Sequence, residues 1–273
     1  GVTAGTSVVL TDTTGAIEFD GMLTAPTLTV SAGGGGYALN LDGGSAITNA
    51  VTMSNTGAVR IGDGADTNTF TGGLTATAPS GLSVAGNIVA TNQAISLGDG
   101  GTALTLTADT NVNSGNGTIT LGGAVDGAYG LTLTTTGTAN VDGVVGASAP
   151  ITSLTSNTGG TLDLGANVTV AGNVDVDDAV TLAAGLTLTT TGSGTIDFAG
   201  TVNGAQDLVI NSAGNTVFTG TVGNANPLGD GNGAGLTINS GGTTSFENTL
   251  QTASGVVQGN AAGDVTFKGD VTI

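Results

Sequence analysis

Several residue types on which catalytic and nucleic-acid-binding proteins depend are absent or scarce in this sequence. The chain of 273 residues has no histidine, cysteine or tryptophan, and only 2 lysine and arginine residues against 20 aspartate and glutamate residues. Without histidine and cysteine, Ser-His-Asp and Cys-His triads, disulfides and thiolate metal sites are excluded. With a net charge of −18, the chain cannot neutralise a row of phosphates, which disfavours nucleic acid and anionic membranes as partners.

Long apolar runs and helix-forming residues are also lacking. No stretch approaches the roughly 20 apolar residues of a membrane-spanning helix, so we expect no membrane insertion. The first residues show neither the basic region nor the apolar core of a secretion signal. Because the chain opens at Gly1, we expect a processed product or a segment of a longer protein. Threonine, valine, asparagine and glycine dominate and are poor in helix interiors, which favours an all-β fold.

The sequence does contain a strand-like alternation of apolar residues. Between Thr161 and Leu188, apolar residues two positions apart recur every six residues, as Leu162/Leu164, Val168/Val170, Val174/Val176, Val180/Leu182 and Leu186/Leu188. Alternate side chains of a strand face opposite ways, so both members of a pair point inward. The glycine-, asparagine- and aspartate-rich triplets between pairs are predicted to be solvated corners, some with positive φ. Three such sides form one triangular turn.

The pairs repeat over a longer distance as well. Near the C-terminus an aliphatic residue precedes a phenylalanine by ten residues three times, as Leu208 and Phe218, Leu236 and Phe246, and Val257 and Phe267. A unit of about 20–23 residues cannot bury a core alone, whereas stacked units can. We therefore predict an all-β parallel β-solenoid (β-helix), roughly triangular, with one continuous domain over residues 1–273 and an insertion at Asn226–Gly235. An array of β-sandwiches is the alternative, because longer segments such as Ser7–Ala25 tolerate it.

A further motif runs through Gly194–Ile273. The sequences "FAGTV", "FTGTV", "GLTINS" and "GTTSF" follow the patterns F-x-G-x-V, L-x-I/V-N and G-x-T-x-F. They resemble the repeats of filamentous-haemagglutinin-like adhesins and of related β-strand-repeat, S-layer-like bacterial exoproteins. The resemblance implies a β-solenoid, an extracellular or cell-surface location, and a role in adhesion, matrix or surface-layer assembly. It implies no catalytic residues.

Carboxylates are the only abundant chemical groups. Two carboxylates can hydrolyse a glycoside, but aromatic residues make up only 3% of the chain and cationic groups that would hold a sugar are scarce. We therefore predict that the chain is not an enzyme and needs no organic cofactor. Carboxylates beside exposed backbone carbonyls suit Ca²⁺. The candidate calcium ligands are Asp175, Asp177 and Asp178 in "VDVDDA", Asp63 and Asp66 in "GDGAD", Asp99 in "GDGG", and Asp230 in "GDGNG".

The ends of a solenoid are its other candidate sites. Terminal strands with unpaired edges invite strand addition unless they are capped, and neither end of this sequence shows a cap. We predict that the chain is a structural extracellular protein that self-assembles into a filament, surface layer or fibre. The predicted joint comprises Ser7, Val8, Val9 and Leu10 with Asp270, Val271, Thr272 and Ile273. An adhesin stalk that recognises glycans or surfaces is the alternative function.

Overall fold

The computed structural model describes residues 1–11, 14–157, 159–259 and 263–273. Within these ranges the chain forms strands and no helix, so no described helix is long and apolar enough to cross a membrane. The strands pair in parallel and stack as a β-solenoid of about 12 turns. The predicted fold class is thereby confirmed over the sandwich alternative. By compactness the chain divides into two units, residues 1–139 and 140–273, and each is described by itself. The single continuous domain stays a prediction.

Most strands of the first unit have only two to four residues, because corners interrupt the chain on every side of a turn. In chain order they are β1 (Val2–Thr3), β2 (Ser7–Leu10), β3 (Ala16–Phe19), β4 (Leu23–Ala25), β5 (Thr27–Val30), β6 (Ala38–Leu41), β7 (Ser45–Ile47), β8 (Val51–Thr52), β9 (Val59–Ile61), β10 (Thr67–Phe70), β11 (Leu74–Ala76), β12 (Leu82–Val89), β13 (Ile95–Leu97), β14 (Leu104–Gly115), β15 (Ile119–Leu121), β16 (Val125–Asp126) and β17 (Gly130–Thr135).

These strands stack as three parallel ladders. Ladder A consists of β1, β4, β7, β10, β12, β14 and β17. Ladder B consists of β2, β5, β8, β11, β13 and β15. Ladder C consists of β3, β6, β9, β12, β14 and β16. Each turn contributes one segment to each ladder, so the predicted three-sided coil is confirmed.

Strands β12 and β14 belong to two ladders because each continues around a corner. Their pairing register shifts between Val84 and Gly86, which is where β12 bends. Gly86 has φ of +69°, a conformation that L residues with a side chain rarely adopt. A Cβ there would also overlap the carbonyl oxygen of Asp66 in the turn below. Glycine is therefore required at this corner for two independent reasons.

The strands of the second unit are equally short. They are β18 (Thr138–Val141), which crosses the boundary between the units, β19 (Ser153–Asn157), β20 (Thr161–Leu164), β21 (Val168–Val170), β22 (Val174–Val176), β23 (Ala179–Leu182), β24 (Leu186–Thr190), β25 (Ile196–Phe198), β26 (Val202–Asn203), β27 (Leu208–Asn211), β28 (Thr216–Phe218), β29 (Leu236–Ile238), β30 (Thr244–Phe246), β31 (Leu250–Gln251), β32 (Val256–Gln258), β33 (Val265–Phe267) and β34 (Val271–Thr272).

They too form three parallel ladders. Ladder D consists of β19, β22, β25, β28, β30 and β33. Ladder E contains β20, β23 and β26, continues through bridges of Val222, and ends in β31 and β34. Ladder F consists of β21, β24, β27, β29 and β32. Across the predicted insertion, residues that interact between successive turns are 28 positions apart, as Asn211 and Asn239 are. In neighbouring turns the corresponding separation is 20–22 positions. The insertion at Asn226–Gly235 is thereby confirmed.

The six-residue pairs of Thr161–Leu188 all point inward, and each of their apolar side chains is at most 4% exposed. Their vertical register is less regular than their spacing. Leu162 pairs with Val180, 18 positions on, whereas Val168 pairs with Leu188 rather than with Leu186. Six positions separate Leu162 from Val168, whereas eight separate their partners Val180 and Leu188, so the later turn contains two more residues between these ladders. A constant six-residue spacing of apolar pairs therefore does not by itself determine which residues stack.

Glycines form a column at the corner that leads into ladder D. A Cβ on Gly194 would overlap the carbonyl of Gly172, and the same holds for Gly214 over Gly194, Gly242 over Gly214, and Gly263 over Gly242. None of these five residues has positive φ. Glycine is needed here because successive backbones stack too closely for a side chain, and not for the positive φ that the sequence led us to expect at such corners.

Asparagine side chains clamp the same corner. The backbone N–H of Thr195 donates to Asn173 Oδ1 at 3.0 Å, and that of Thr243 donates to Asn215 Oδ1 at 3.0 Å. Each bond joins one turn to the next and satisfies a backbone donor that the strand ladder leaves free. The corner triplets therefore add hydrogen bonds between turns, in addition to reversing the chain.

Four phenylalanines form a stack inside ladder D. The ring centroids of Phe198, Phe218, Phe246 and Phe267 follow one another at 5.0, 4.7 and 5.0 Å, with interplanar angles of 17°, 3° and 14°. The spacing equals the separation of neighbouring strands, so the backbone ladder sets the ring distance. Phe218 and Phe246 are buried between two rings, whereas Phe267 is 41% exposed.

We expect Phe218→Ala to lower the free energy of unfolding by about 3–5 kcal/mol, because it leaves a ring-sized cavity between two buried rings. Phe267→Ala is the matched control and should cost clearly less, since that ring is 41% exposed and has one neighbour. Urea titration followed by circular dichroism measures both. Equal losses for the two variants would contradict the role of the stack.

Candidate functional site

The three acidic residues of the "VDVDDA" segment have different environments. Asp175 lies in the middle of β22 with its side chain exposed, and Asp177 follows the strand and is also exposed. Asp178 is only 1% exposed. Its carboxylate accepts hydrogen bonds from Ser156 Oγ and, at 2.6 Å, from the backbone N–H of Gly160. The expectation of a solvated corner is therefore wrong for Asp178, which joins two successive turns from inside.

The structure brings Asp175 together with Asp197, which the sequence did not single out. The two residues are register partners in β22 and β25 and both are exposed. They face a polar groove of about 300 Å³, whose lining residues are Ser153, Thr155, Asn173, Val174, Asp175, Thr195 and Asp197. Only the pairing of turns reveals this pair, because 22 positions separate its members in sequence.

Burial and repulsion between neighbouring carboxylates raise the pKa values of two aspartates in this region. Partial burial raises the pKa of Asp197 above its ordinary value, and the negative charges of Asp175 and Asp177 raise it further. In the next ladder, burial raises the pKa of Asp163, with Asp142 adding to the effect. Such carboxylates release repulsion when they take up a proton or a cation.

Asp63 and Asp66 are also neighbours. The backbone N–H of Asp63 donates to Asp66 Oδ2 at 3.3 Å. A hydrogen bond between the two carboxyl groups raises the pKa of Asp63, followed by desolvation and by the charges of Asp66 and Asp42, while Arg60 opposes the shift. At this corner the structure brings two of the predicted calcium ligands into direct contact.

Asp99 and Asp230 each close a tight turn. Asp99 Oδ1 accepts the backbone N–H groups of Gly101 and Thr102 at 2.8 and 2.9 Å, and Asp230 Oδ1 accepts that of Asn232 at 2.8 Å. Throughout the described ranges, no three acidic residues come together in an arrangement that holds a metal ion. The calcium sites at Asp175, Asp177, Asp178, Asp63, Asp66, Asp99 and Asp230 stay predictions.

Both basic side chains are engaged in ion pairs between successive turns. Arg60 forms a two-pronged pair with Asp42, 18 residues earlier. Lys268 Nζ donates to Glu247 at 2.7 and 2.9 Å, 21 residues earlier, and lowers the pKa of that carboxyl. Since the chain has only these 2 lysine and arginine residues against 20 aspartate and glutamate residues, most carboxylates have no cationic partner.

The predicted joint lies in the outermost strands of their ladders. Strand β2 pairs with β5 along one edge, and β34 pairs with β31 along one edge; no other described strand covers their outer edges. Val9, Val271 and Ile273 are 55%, 42% and 74% exposed. Beside β34, the interior opens through an apolar mouth of about 240 Å³ lined by Ile238, Val256, Gln258, Val265, Phe267, Val271 and Ile273.

The mouth includes residues that sequence reasoning did not assign to the joint, notably Val256, Val265 and Phe267. The ten-residue spacing had placed Phe267 in the core pattern together with Val257. That spacing is wrong for Val257, which is 49% exposed, because Val256 is the register partner of the buried Leu236. Comparison with family models, with curated proteins and with solved structures finds no match to this chain.

We expect Asp178→Ala to lower the free energy of unfolding by about 2–3 kcal/mol, because it removes the acceptor for Ser156 and Gly160. Asp177→Ala, one position away and exposed, is the control and should change stability little. Chemical denaturation of both variants measures the difference. A loss as large in the control would refute the structural role of Asp178.

The contribution of Asp197 to stability should rise as the pH falls from 7 towards 4. The folded-state pKa of Asp197 is raised, so over this window the folded chain binds protons that the unfolded chain does not. Asp197→Asn should raise the midpoint of thermal unfolding at pH 7 and reduce its increase on acidification. Asp20→Asn, at an exposed carboxylate outside the group, controls for the loss of one charge. Thermal unfolding from pH 4 to 7 tests this, and identical pH profiles for the two variants would count against it.

Proposed function

We propose that this chain is a structural protein of the cell surface or extracellular matrix, which assembles end to end into filaments, layers or fibres. The observation that carries the proposal is the contrast between the ends and the sides of the coil. The terminal strands have open edges and the C-terminal end has an apolar mouth, whereas exposed carboxylates such as Asp175 and Asp197 lie on strands that are paired along both edges. The resemblance of Gly194–Ile273 to repeats of bacterial surface proteins supports the location.

Strand addition is the physical basis of the assembly. A strand paired along one edge presents unused backbone N–H and C=O groups on the other, and a second copy can supply their partners. Contact between Ser7–Leu10 of one copy and Asp270–Ile273 of the next would continue the ladders and cover exposed Val271 and Ile273. Such a head-to-tail contact does not close on itself, so it leads to a filament.

Charge favours end-to-end contact over side-by-side contact. Each copy has a net charge of −18, so parallel packing of sides brings carboxylates together. Calcium or another divalent cation would be needed to relieve that repulsion in a layer or bundle. We therefore expect filaments at low ionic strength and lateral association only when salt or divalent cations are added.

The test uses two blocked variants, Val9→Lys and Val271→Lys, since a lysine on an edge strand opposes strand addition. Val144→Lys, 38% exposed and outside the terminal turns, is the control. Sedimentation and electron microscopy should show concentration-dependent filaments for the original chain and the control. Each blocked variant should stay monomeric alone, and the mixture should stop at dimers, because each partner retains one working end. A chain that stays monomeric at high concentration, with and without calcium, would overturn the proposal.

A binding module for glycans is the second candidate function. The groove of Asp175 and Asp197 favours it, because hydroxyl, amide and carboxylate groups line a concave surface of the size of a sugar residue. Sugar-binding sites commonly include an aromatic residue, and none of the residues that line this groove is aromatic. Retention on a glycan array that is lost in Asp175→Ala would support this role over pure assembly.

A further inference from the structure

Ser45 and Asn68 are two polar residues that lie side by side on adjacent strands inside the apolar core of the first unit. In ladder A the inward residues of four successive turns are Leu23, Ser45, Asn68 and Ile88. All four are 0% exposed. Two polar side chains therefore lie in direct register, with an aliphatic side chain below and another above.

Neither side chain has a hydrogen-bond partner. Ser45 Oγ, Asn68 Oδ1 and Asn68 Nδ2 are buried and unpaired within the described part of the chain. Buried polar atoms in folded proteins are almost always paired, with protein or with ordered water. Three unpaired atoms on two neighbouring residues point to one shared partner.

The geometry of the ladder indicates the size of that partner. Parallel strands lie about 4.8 Å apart, and the short serine side chain does not extend along the ladder. Two hydrogen bonds through one water molecule span roughly 4.5–5.5 Å, so a molecule of that size can reach polar side chains on two adjacent strands. A hydroxyl and a carboxamide are uncharged and offer both donors and acceptors, so a neutral molecule that does both is suited to them.

We infer that Ser45 and Asn68 bind an internal water molecule between the turns that contain β7 and β10. The water accepts from Asn68 Nδ2–H and donates to Ser45 Oγ or to Asn68 Oδ1, which satisfies atoms that the protein leaves unpaired. This site is independent of assembly, because it lies inside a single copy.

A crystal structure at high resolution tests the inference directly, and nuclear Overhauser transfer from water to the Asn68 side-chain amide tests it in solution. Both should show a bound water in the original chain and in Thr69→Val, an isosteric control on the outward side of β10. The double variant Ser45→Ala/Asn68→Val should lose the water, and its unfolding temperature should be unchanged or up to roughly 4 °C higher.

Two results would overturn the inference. One is a crystal structure in which Ser45 and Asn68 bond to each other or to the backbone with no water between them. The other is an Asn68 amide that shows no transfer from water. If the double variant fails to fold, Ser45→Ala alone keeps the test open, since it should retain a water on Asn68.

Discussion

The separation of successive turns is the constraint on which the rest of this structure depends. Parallel backbone ladders fix neighbouring strands about 4.8 Å apart, and three such ladders hold every turn of each unit. Side chains that stack on one another in successive turns must pack at that distance. The rings of Phe198, Phe218, Phe246 and Phe267 stack at 4.7–5.0 Å because the backbone places them there. At the corner of Gly194 and Gly214 the same spacing leaves no room for a Cβ.

The unusual composition follows from this constraint. Glycine is abundant, with 51 residues, in part because stacked corners exclude side chains, and asparagine is favoured where its carboxamide clamps the next turn. Scarce cations are placed where they join turns, as the pairs of Arg60 with Asp42 and Lys268 with Glu247 show. Apart from the buried Asp178, the other described carboxylates are exposed or half-buried, and stacking brings like charges into register, as at Asp175 and Asp197. The proposed assembly depends on the same ladders, which have open edges at β2 and β34.

Much of the fold could be predicted from the local pattern of apolar and polar residues. The alternation in Thr161–Leu188 predicted inward and outward residues correctly, and the interruption at Asn226–Gly235 predicted the insertion. The candidate site was less readable. Nothing in the local sequence distinguishes Asp178 from Asp177, yet Asp178 is buried and accepts a hydrogen bond from Ser156 one turn earlier. Asp197 carries no motif, and only its pairing with Asp175 makes it part of a groove.

By itself the sequence determined the side of each strand on which a residue lies, because the two-residue period of a strand is a local property of the backbone. It also excluded histidine and cysteine chemistry by composition. Only the tertiary structure decided which residues meet between turns. That register depends on how many residues each corner absorbs, as the pairing of Val168 with Leu188 rather than Leu186 shows. Corner conformations are set by the turn beneath, through close backbone contacts and side-chain clamps, so they arise only once the turns are stacked.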